Sequence, residues 1–363
     1  MPTLAVALDY RPALLSRGGI ARATRELAAG LAAAGEIDLH LLGHSLARAR
    51  VAARIPCGAR LHRLPIPGRL LPLLARVGLP AERLAGRARV VHWTDYVQPP
   101  VGRAGVLLTV HDTAFAEDPA FHGAESAALL ARTRAAARRA SLVVTPTEAS
   151  AAAAMAHLGV ARGRVRVVPF GADHVPAPAD SPPPLGGRPY FVTVGTIEPR
   201  KNHERLLAAH AALGPAAPLL VAIGAPGWEC GRAVAALRAA QAAGRVLWLR
   251  RAADAEVWRY LAHARALAYP SLLEGFGFPP LEALRLGTPV LAGDVPALRE
   301  VLGGHARFCD PRDVEAIRSA LAELAEGGAA LRSRVAAGRA WAQRYTWRRC
   351  AQQHAALYAE VAA

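Results

Sequence analysis

The sequence predicts an α/β protein of two domains. Its 363 residues, 53% of them hydrophobic, are enough to build two cores of ordinary size. Short apolar runs alternate with helical segments along the chain, which is typical of α/β proteins. Residues 176–189 contain Pro182-Pro183-Pro184 and Gly186-Gly187, a stiff stretch unsuited to a core. We therefore expect one domain over residues 1–175 and a second over residues 188–345.

The first domain is predicted to consist of strands separated by helices. Helices are expected at 21–34 and 124–139, and Thr147 should cap a third that ends near His157. Strands are expected at residues 4–8, 37–42, 90–95, 105–110 and 142–145.

Residues 45–89 differ from the rest of this domain, because they hold ten arginines and a single acid, Glu82. One interpretation is an irregular, solvated part of the domain. The other is that Arg63, Arg69 and Arg76, with the leucines between them, rest on an anionic membrane leaflet that carries a lipid-linked acceptor.

The second domain repeats the alternation. Strands are expected at residues 190–195, 219–224, 246–249 and 264–269, and a helix at 204–213. Asp254 should cap a helix that ends near Ala264, and Asp310 should start one that ends at Glu326. A further helix is expected to end at Arg344, and a last amphipathic helix at Ala363.

The loop after the strand at 264–269 contains the most informative motif. Gly275 and Gly277 interrupt it, and Pro279-Pro280 fits the first turn of a following helix. Such a loop directs a helix N-terminus at a ligand, an arrangement suited to phosphate. Glu274 in the loop and Glu282 in the helix can face one crevice. The alternative is a solvated helix cap and a surface glutamate.

Arg200 and Lys201 follow the strand at 190–195 and precede a helix. Two cations at the end of a strand make a site for pyrophosphate. Because the helix dipole disfavours cations at a helix N-terminus, their position there indicates an anionic ligand. Lys201 is also the only lysine of the chain. Surface solvation is the alternative interpretation.

Two pairs in the first domain are further candidates. Gly18 and Gly19 stand between a first strand and a helix, where they fit either close approach to an anion or turn geometry alone. His111-Asp112 follows an apolar strand, at the sheet edge where α/β proteins place ligands. A structural role for that histidine is the alternative.

The segment from Glu274 to Asp294 resembles the E-x7-E signature of retaining glycosyltransferases of the GT-B fold, in the large family numbered four. The Glu198-Pro-Arg-Lys-Asn run resembles the form found in mannosyltransferases of bacterial polysaccharide assembly. The resemblance implies two Rossmann-like domains with parallel sheets facing across a cleft, and a terminal helix, 348–363, that packs back on the first domain near a hinge at Trp347.

The resemblance also implies the roles of the candidate residues. The sugar-side and charge-stabilising catalytic residues would be His111, Asp112, Glu274, Arg200 and Lys201. The nucleotide-sugar would be bound by Gly18, Gly19, Gly195, Arg200, Lys201, Gly275, Phe276, Gly277, Phe278 and Glu282, with Glu282 on the ribose.

The expected reaction transfers a sugar, mannose from GDP-mannose in our preferred interpretation, to a glycan or lipid-linked acceptor with retention of configuration. No metal and no cofactor besides the donor are expected. A non-catalytic nucleotide-sugar-binding subunit and a GT-B nucleotide-sugar epimerase are the alternatives. The presence of His111, Asp112 and Glu274 together argues against the first.

Composition limits the partners and the compartment. The net charge of +16 raises the question of nucleic acid, but the arginines are not interleaved with aromatic residues as a base-stacking surface requires. Four scattered cysteines predict neither disulfides nor a zinc site. The first residues resemble a strand and not a signal peptide, so we expect a cytoplasmic protein that can lie on the inner face of the cell membrane.

Overall fold

A computed structural model of the protein describes residues 3–44, 55–67, 70–121, 123–177 and 181–363. These residues divide into two compact units. The first comprises residues up to Ala116, Ala127–His174 and Tyr345–Ala363, and the second comprises Glu117–Ser126 and Val175–Arg344. Residues 117–126, which we assigned to the first domain, therefore group with the second.

The first unit is built on a parallel sheet of seven strands. Its strands are β1 (Leu4–Asp9), β2 (Ile37–His44), β3 (Arg60–Leu64), β4 (Val90–Trp93), β5 (Gly105–Thr109), β6 (Leu142–Thr145) and β7 (Val165–Val167). The spatial order is β3-β2-β1-β4-β5-β6-β7, with every neighbouring pair parallel.

Helices cover this sheet because parallel strands need crossover connections. They are α1 (Arg11–Leu15), α2 (Gly19–Ala34), α3 (Leu71–Arg76), α4 (Ala81–Leu84), α5 (Ala114–Glu117), α6 (Ser126–Arg139) and α7 (Glu148–Leu158). The Thr147 side chain accepts a hydrogen bond from Ser150 N at 3.0 Å, which confirms the predicted cap.

The second unit is built on a parallel sheet of six strands in the order β10-β9-β8-β11-β12-β13. Its strands are β8 (Tyr190–Val194), β9 (Leu219–Ile223), β10 (Val246–Leu249), β11 (Ala266–Tyr269), β12 (Val290–Gly293) and β13 (Arg307–Cys309). Its helices are α8 (His203–Ala212), α9 (Gly231–Ala242), α10 (Asp254–Ala262), α11 (Phe278–Leu286), α12 (Pro296–Leu302), α13 (Val314–Glu326) and α14 (Ala329–Ala342).

The last helix, α15 (Trp347–Ala362), belongs to the first unit and packs on α2. Its Tyr358 hydroxyl lies 2.8 Å from Nδ1 of His92, and Nε2 of that ring lies 2.7 Å from Oγ1 of Thr109. Tyr358 and His92 are both fully buried. This hydrogen-bonded contact joins α15 to β4 and β5.

Several predicted elements need correction. Residues 60–64, 71–76 and 81–84 form β3, α3 and α4, so the interpretation of residues 45–89 as irregular fails for these three stretches and holds for the other described residues of the segment. Residues 45–54 and Arg69 lie outside the described residues. The helix expected from Asp310 begins at Val314 with Asp313 as its cap, and Asp254 is the first residue of α10 instead of its cap.

Candidate functional site

In the sheet of the second unit, the order in which successive strands are added reverses between β8 and β11. From that point β9 and β10 continue to one side, and β12 and β13 continue to the other. Loops that leave two such strands diverge and open a crevice at their carboxyl ends, where α/β proteins bind ligands. The loops at 195–202 and 270–277 lie at this position.

Hydrogen bonds fix these two loops against each other. The backbone N–H of Leu272 donates to the Arg200 carbonyl at 2.9 Å. Asn202, held at a φ of 61°, donates from Nδ2 to the Pro270 carbonyl at 2.9 Å and to the Pro311 carbonyl at 2.6 Å. The side chains on the two loops therefore keep a defined geometry.

Glu274 lies at the centre of a buried charged group that we call the Glu274 cluster: Glu198, Arg200, Lys201, Tyr269 and Glu274. Lys201 donates to Oε1 of Glu274 at 2.6 Å and to the Tyr269 hydroxyl at 2.5 Å. Arg200 donates to Oε2 of Glu274 at 2.9 Å and to Oε1 of Glu198 at 2.7 Å. One carboxylate thus holds both cations, one on each oxygen.

Burial makes these contacts strong. The side chains of Arg200 and Lys201 are 13% and 12% exposed, and that of Glu274 is 6% exposed. Burial alone would raise the pKa of Glu274, but Lys201 and Arg200 outweigh it and hold the pKa at about 2. Burial, and then Glu274, raises the pKa of Tyr269 well above its usual value. At neutral pH the cluster contains an ionised Glu274 and a neutral Tyr269.

The predicted residues of these loops come together, and the solvated alternatives are wrong. Arg200, Lys201 and Glu274 are in direct contact, and Glu282 lies in the second turn of α11 with no exposed surface. Sequence reasoning did not assign roles to Glu198 and Tyr269. Their signal was positional, since Tyr269 ends the strand that leads to Glu274 and Glu198 stands two residues before Arg200.

The glycine-broken loop has the local structure that its sequence predicts. Gly277 has a φ of 88°, and a Cβ there would lie 2.5 Å from Leu298. Phe276 and Phe278 are buried with ring centroids 5.2 Å apart. Gly195, at the end of β8, has a φ of 149°. Gly275 is buried as well.

In the first unit, the predicted pairs occupy the expected local positions. Gly18 is the N-cap of α2 and Gly19 its first residue. Asp112 accepts from the backbone N–H of Ala114 at 3.0 Å, which supports the start of α5. His111 lies just beyond the end of β5.

The hydrogen bond of His111 defines its tautomer. Its Nε2 lies 3.0 Å from the Thr94 carbonyl, and because a carbonyl only accepts, Nε2 carries the proton. Burial lowers the pKa of His111, so the ring is neutral near pH 7 and Nδ1 has a lone pair. Phe170 packs against the ring at a centroid distance of 5.7 Å.

In the described part of the chain, His, Cys, Asp and Glu form no group of three or more that could hold a metal ion. The helices of these residues are all too short or too polar to cross a bilayer.

Two family models match the chain, one before the proline-rich stretch and one that begins within it. Residues 18–171 match the glycosyl transferase 4-like domain, and residues 180–341 match glycosyl transferases group 1. The chain thus combines a glycosyl transferase 4-like domain with a glycosyl transferases group 1 domain. The two Rossmann-like units, with parallel sheets of seven and six strands, are those of the GT-B fold.

Similar proteins agree with this assignment. O-antigen chain mannosyltransferase B of Escherichia coli is 32% identical over 190 residues, 50% of this chain and 50% of the relative. O-antigen chain mannosyltransferase RfbU of Salmonella typhimurium is 30% identical over 141 residues, 37% of this chain and 38% of the relative. The matches thus span half or less of these curated relatives.

A solved structure reproduces the fold over the whole chain. Sucrose-phosphate synthase from Thermosynechococcus elongatus superposes with a TM-score of 0.80 and 20% identity, covering 99% of both chains. At this identity the likeness concerns the fold alone.

Glu274→Gln tests the electrostatics of the cluster. Because the pKa of Glu274 falls from 4.5 to about 2 on folding, its ionised form stabilises the fold above pH 4.5, and this contribution is lost as the pH falls toward 2. The variant should therefore lose about 3 kcal/mol at pH 7, with a gap to wild type that narrows below pH 4.5.

Denaturant unfolding of both chains across this pH range measures the gap. Glu315→Gln, at an exposed pair with Arg318, is the matched control and should show no such gap. Equal stability of wild type and Glu274→Gln at pH 7 would contradict the structural role of the cluster.

Proposed function

We propose that the protein is a retaining glycosyltransferase that transfers mannose from GDP-mannose to a glycan or lipid-linked acceptor in bacterial polysaccharide synthesis. The Glu274 cluster carries this proposal, because it places two cations beside the loop and helix expected to receive a nucleotide-sugar. The choice of mannose is supported by the two relatives named as O-antigen chain mannosyltransferases.

The cluster can bind a diphosphate without losing its own contacts. An ammonium group has three N–H donors, and within the described residues Lys201 uses two, toward Glu274 and Tyr269. The third can donate to a phosphate oxygen. A carboxylate has about four acceptor positions, so Glu274 can still accept from a sugar hydroxyl while it holds both cations.

Charge development explains why these residues would matter in the transfer step. As the glycosidic bond to the donor breaks, negative charge grows on the departing diphosphate and positive charge on the sugar ring. Arg200 and Lys201 would stabilise the diphosphate, and Glu274 would favour the sugar cation. Their buried surroundings strengthen each interaction relative to water, and their fixed positions remove the cost of reorganisation.

Residues of the first unit would contribute as well. His111 offers the Nδ1 lone pair to a sugar hydroxyl, since its Nε2 proton is engaged by Thr94. Gly18 and Gly19 present the N-terminus of the 16-residue helix α2, which favours an anion such as the donor diphosphate.

Removing the cations tests the proposal. Arg200→Ala and Lys201→Ala should each lower kcat for transfer from GDP-mannose on the order of 10²-fold, as the loss of one preorganised donor to a developing anion does. Product formation and nucleotide release measure the rate, and circular dichroism checks folding.

Arg318→Ala with Arg334→Ala is the control, since both arginines form ion pairs elsewhere on the second unit. It should keep the wild-type rate. Full turnover in the Arg200→Ala, Lys201→Ala double variant would refute the proposed role. Donor binding without transfer or hydrolysis would favour a non-catalytic subunit, and an epimerised nucleotide-sugar would favour an epimerase.

We further propose that the transfer needs neither a metal nor a cofactor other than the donor, since Arg200 and Lys201 supply positive charge to the diphosphate. Dialysis against a chelator should therefore leave the rate essentially unchanged. Complete loss of activity that added Mg²⁺ or Mn²⁺ restores would contradict this.

We also propose that the first unit rests on an anionic membrane. Four of the most exposed large apolar side chains among the described residues fall within ten residues: Leu70, Leu73, Val77 and Leu79, with exposures of 40, 47, 67 and 42%. The spacing of the first three places them on one side of α3 and its flanks. Arg76 is the last residue of α3, and a basic residue beside this stripe suits a surface of anionic lipid.

Vesicle binding measures this contact. Replacing Arg63, Arg69 and Arg76 by Gln should weaken binding to phosphatidylglycerol vesicles roughly 10²-fold, at about 1 kcal/mol per arginine. The same vesicles without anionic lipid should bind weakly in both forms. Unchanged binding to anionic vesicles would count against the contact.

A further inference from the structure

In the sheet of the first unit, the order in which successive strands are added also reverses, between β1 and β4. β2 and β3 continue from β1 to one side, and β5, β6 and β7 continue from β4 to the other. By the same argument as for the second unit, the carboxyl ends of β1 and β4 are a position for a ligand. Polar residues follow or end the strands here: Asp9, Arg11, His44 and Asp95.

Strand register places Asp9 and His44 on one face of the sheet. Asp9 of β1 pairs with Leu42 of β2, and paired residues of parallel strands point to the same face. Because side chains alternate, His44 returns to the face of Leu42 two residues later. Both residues are nearly inaccessible, with exposures of 1% and 2%.

These two side chains lack the hydrogen bonds that buried polar groups need. Asp9 accepts at Oδ1 from the backbone N–H of Arg11 at 3.2 Å, but its Oδ2 has no partner among the described residues. Neither ring nitrogen of His44 has one there. Buried polar groups without partners destabilise a fold. Oδ2 of Asp9 and the two ring nitrogens of His44, at the carboxyl ends of β1 and β2, therefore indicate a ligand.

The charges at this edge define the class of ligand. The Arg11 guanidinium already pairs with Asp95. Burial, followed by Asp95, raises the pKa of Asp9 to about 7, and burial lowers the pKa of His44 to about 4. An anion would meet the Asp9 and Asp95 carboxyl groups, an uncharged imidazole and the Arg11 cation, which is paired with Asp95 although its Nε has no partner among the described residues. A hydroxyl group suits them, because it can donate to Oδ2 and accept from an imidazole N–H.

We propose that Asp9 and His44 bind the hydroxyl groups of a neutral sugar, the residue of the acceptor glycan that receives the transferred sugar. The inference rests on the proposed function and names the chemistry of its acceptor side. At the same strand ends, the side chains of the Arg11–Asp95 pair keep 19% and 15% exposure. A phosphorylated sugar is the wrong ligand here.

Saturation-transfer NMR on the full chain tests this site without requiring turnover. The probes are the methyl glycosides of mannose, glucose, galactose and N-acetylglucosamine, with mannose 6-phosphate as the anionic counterpart. At least one neutral glycoside should bind better than the phosphate. Asp9→Asn and His44→Leu should each weaken that binding roughly tenfold, the loss expected for one hydrogen bond.

Stability separates a binding role from a structural one. Because the His44 nitrogens have no partner among the described residues, His44→Leu should keep or raise the unfolding temperature while it loses glycoside binding. His157→Leu, at a partly exposed histidine of the same unit, is the control and should keep wild-type glycoside binding.

Three outcomes would overturn the site: no neutral glycoside binds, binding is equal in wild type and His44→Leu, or mannose 6-phosphate binds more tightly than every neutral probe. The second outcome would mean that the unpaired atoms hold buried water only. Glycoside binding that depends on His44, in a chain without transfer or donor hydrolysis, would support the site and refute the proposed function.

Discussion

The second unit depends on one carboxylate. Glu274 accepts hydrogen bonds from Lys201 on one oxygen and from Arg200 on the other, and so joins the loops that follow two adjacent strands. Without it, two buried cations would face each other, and burial already lowers the pKa of Lys201. Both the arrangement of the loops and the position of the positive charge therefore follow from Glu274.

This arrangement changes how the E-x7-E motif is understood in this chain. The spacing suggested two acidic groups that both face a ligand, yet the structure gives them unlike surroundings. Glu274 lies between two cations that hold its pKa at about 2, whereas Glu282, on α11, is fully buried. A pair of identical residues thus divides into one that positions cations and one that the resemblance assigns to the ribose. The surroundings, and not the spacing, make this distinction.

The sequence predicted the features that depend on interactions between neighbouring residues. The strands at 142–145 and 246–249 and the cap at Thr147 were found at the expected residues, because apolar periodicity and side-chain capping act within a few positions. Prediction from the sequence failed for elements that depend on tertiary contacts. The strand β3 has an arginine-rich sequence and forms at a sheet edge by pairing with β2.

Site prediction shows the same division. Arg200, Lys201 and Glu274 were identified through motifs, whereas Tyr269, Glu198, Asp9 and His44 were not assigned roles. Those residues gain significance only when sheet order brings distant strand ends together, as for Asp9 and His44, which are far apart in sequence but share one face. No local pattern carries that information.

Calorimetric titration of guanosine, GMP and GDP into the wild-type chain and the Arg200→Ala, Lys201→Ala chain measures the central claim directly. If the cations held by Glu274 bind the donor's diphosphate, wild type should bind GDP more tightly than GMP and guanosine, and the double variant should lose this gain while guanosine binds equally to both. Equal affinities for GDP and guanosine in the wild-type chain, or a GDP preference that survives in the double variant, would contradict the account.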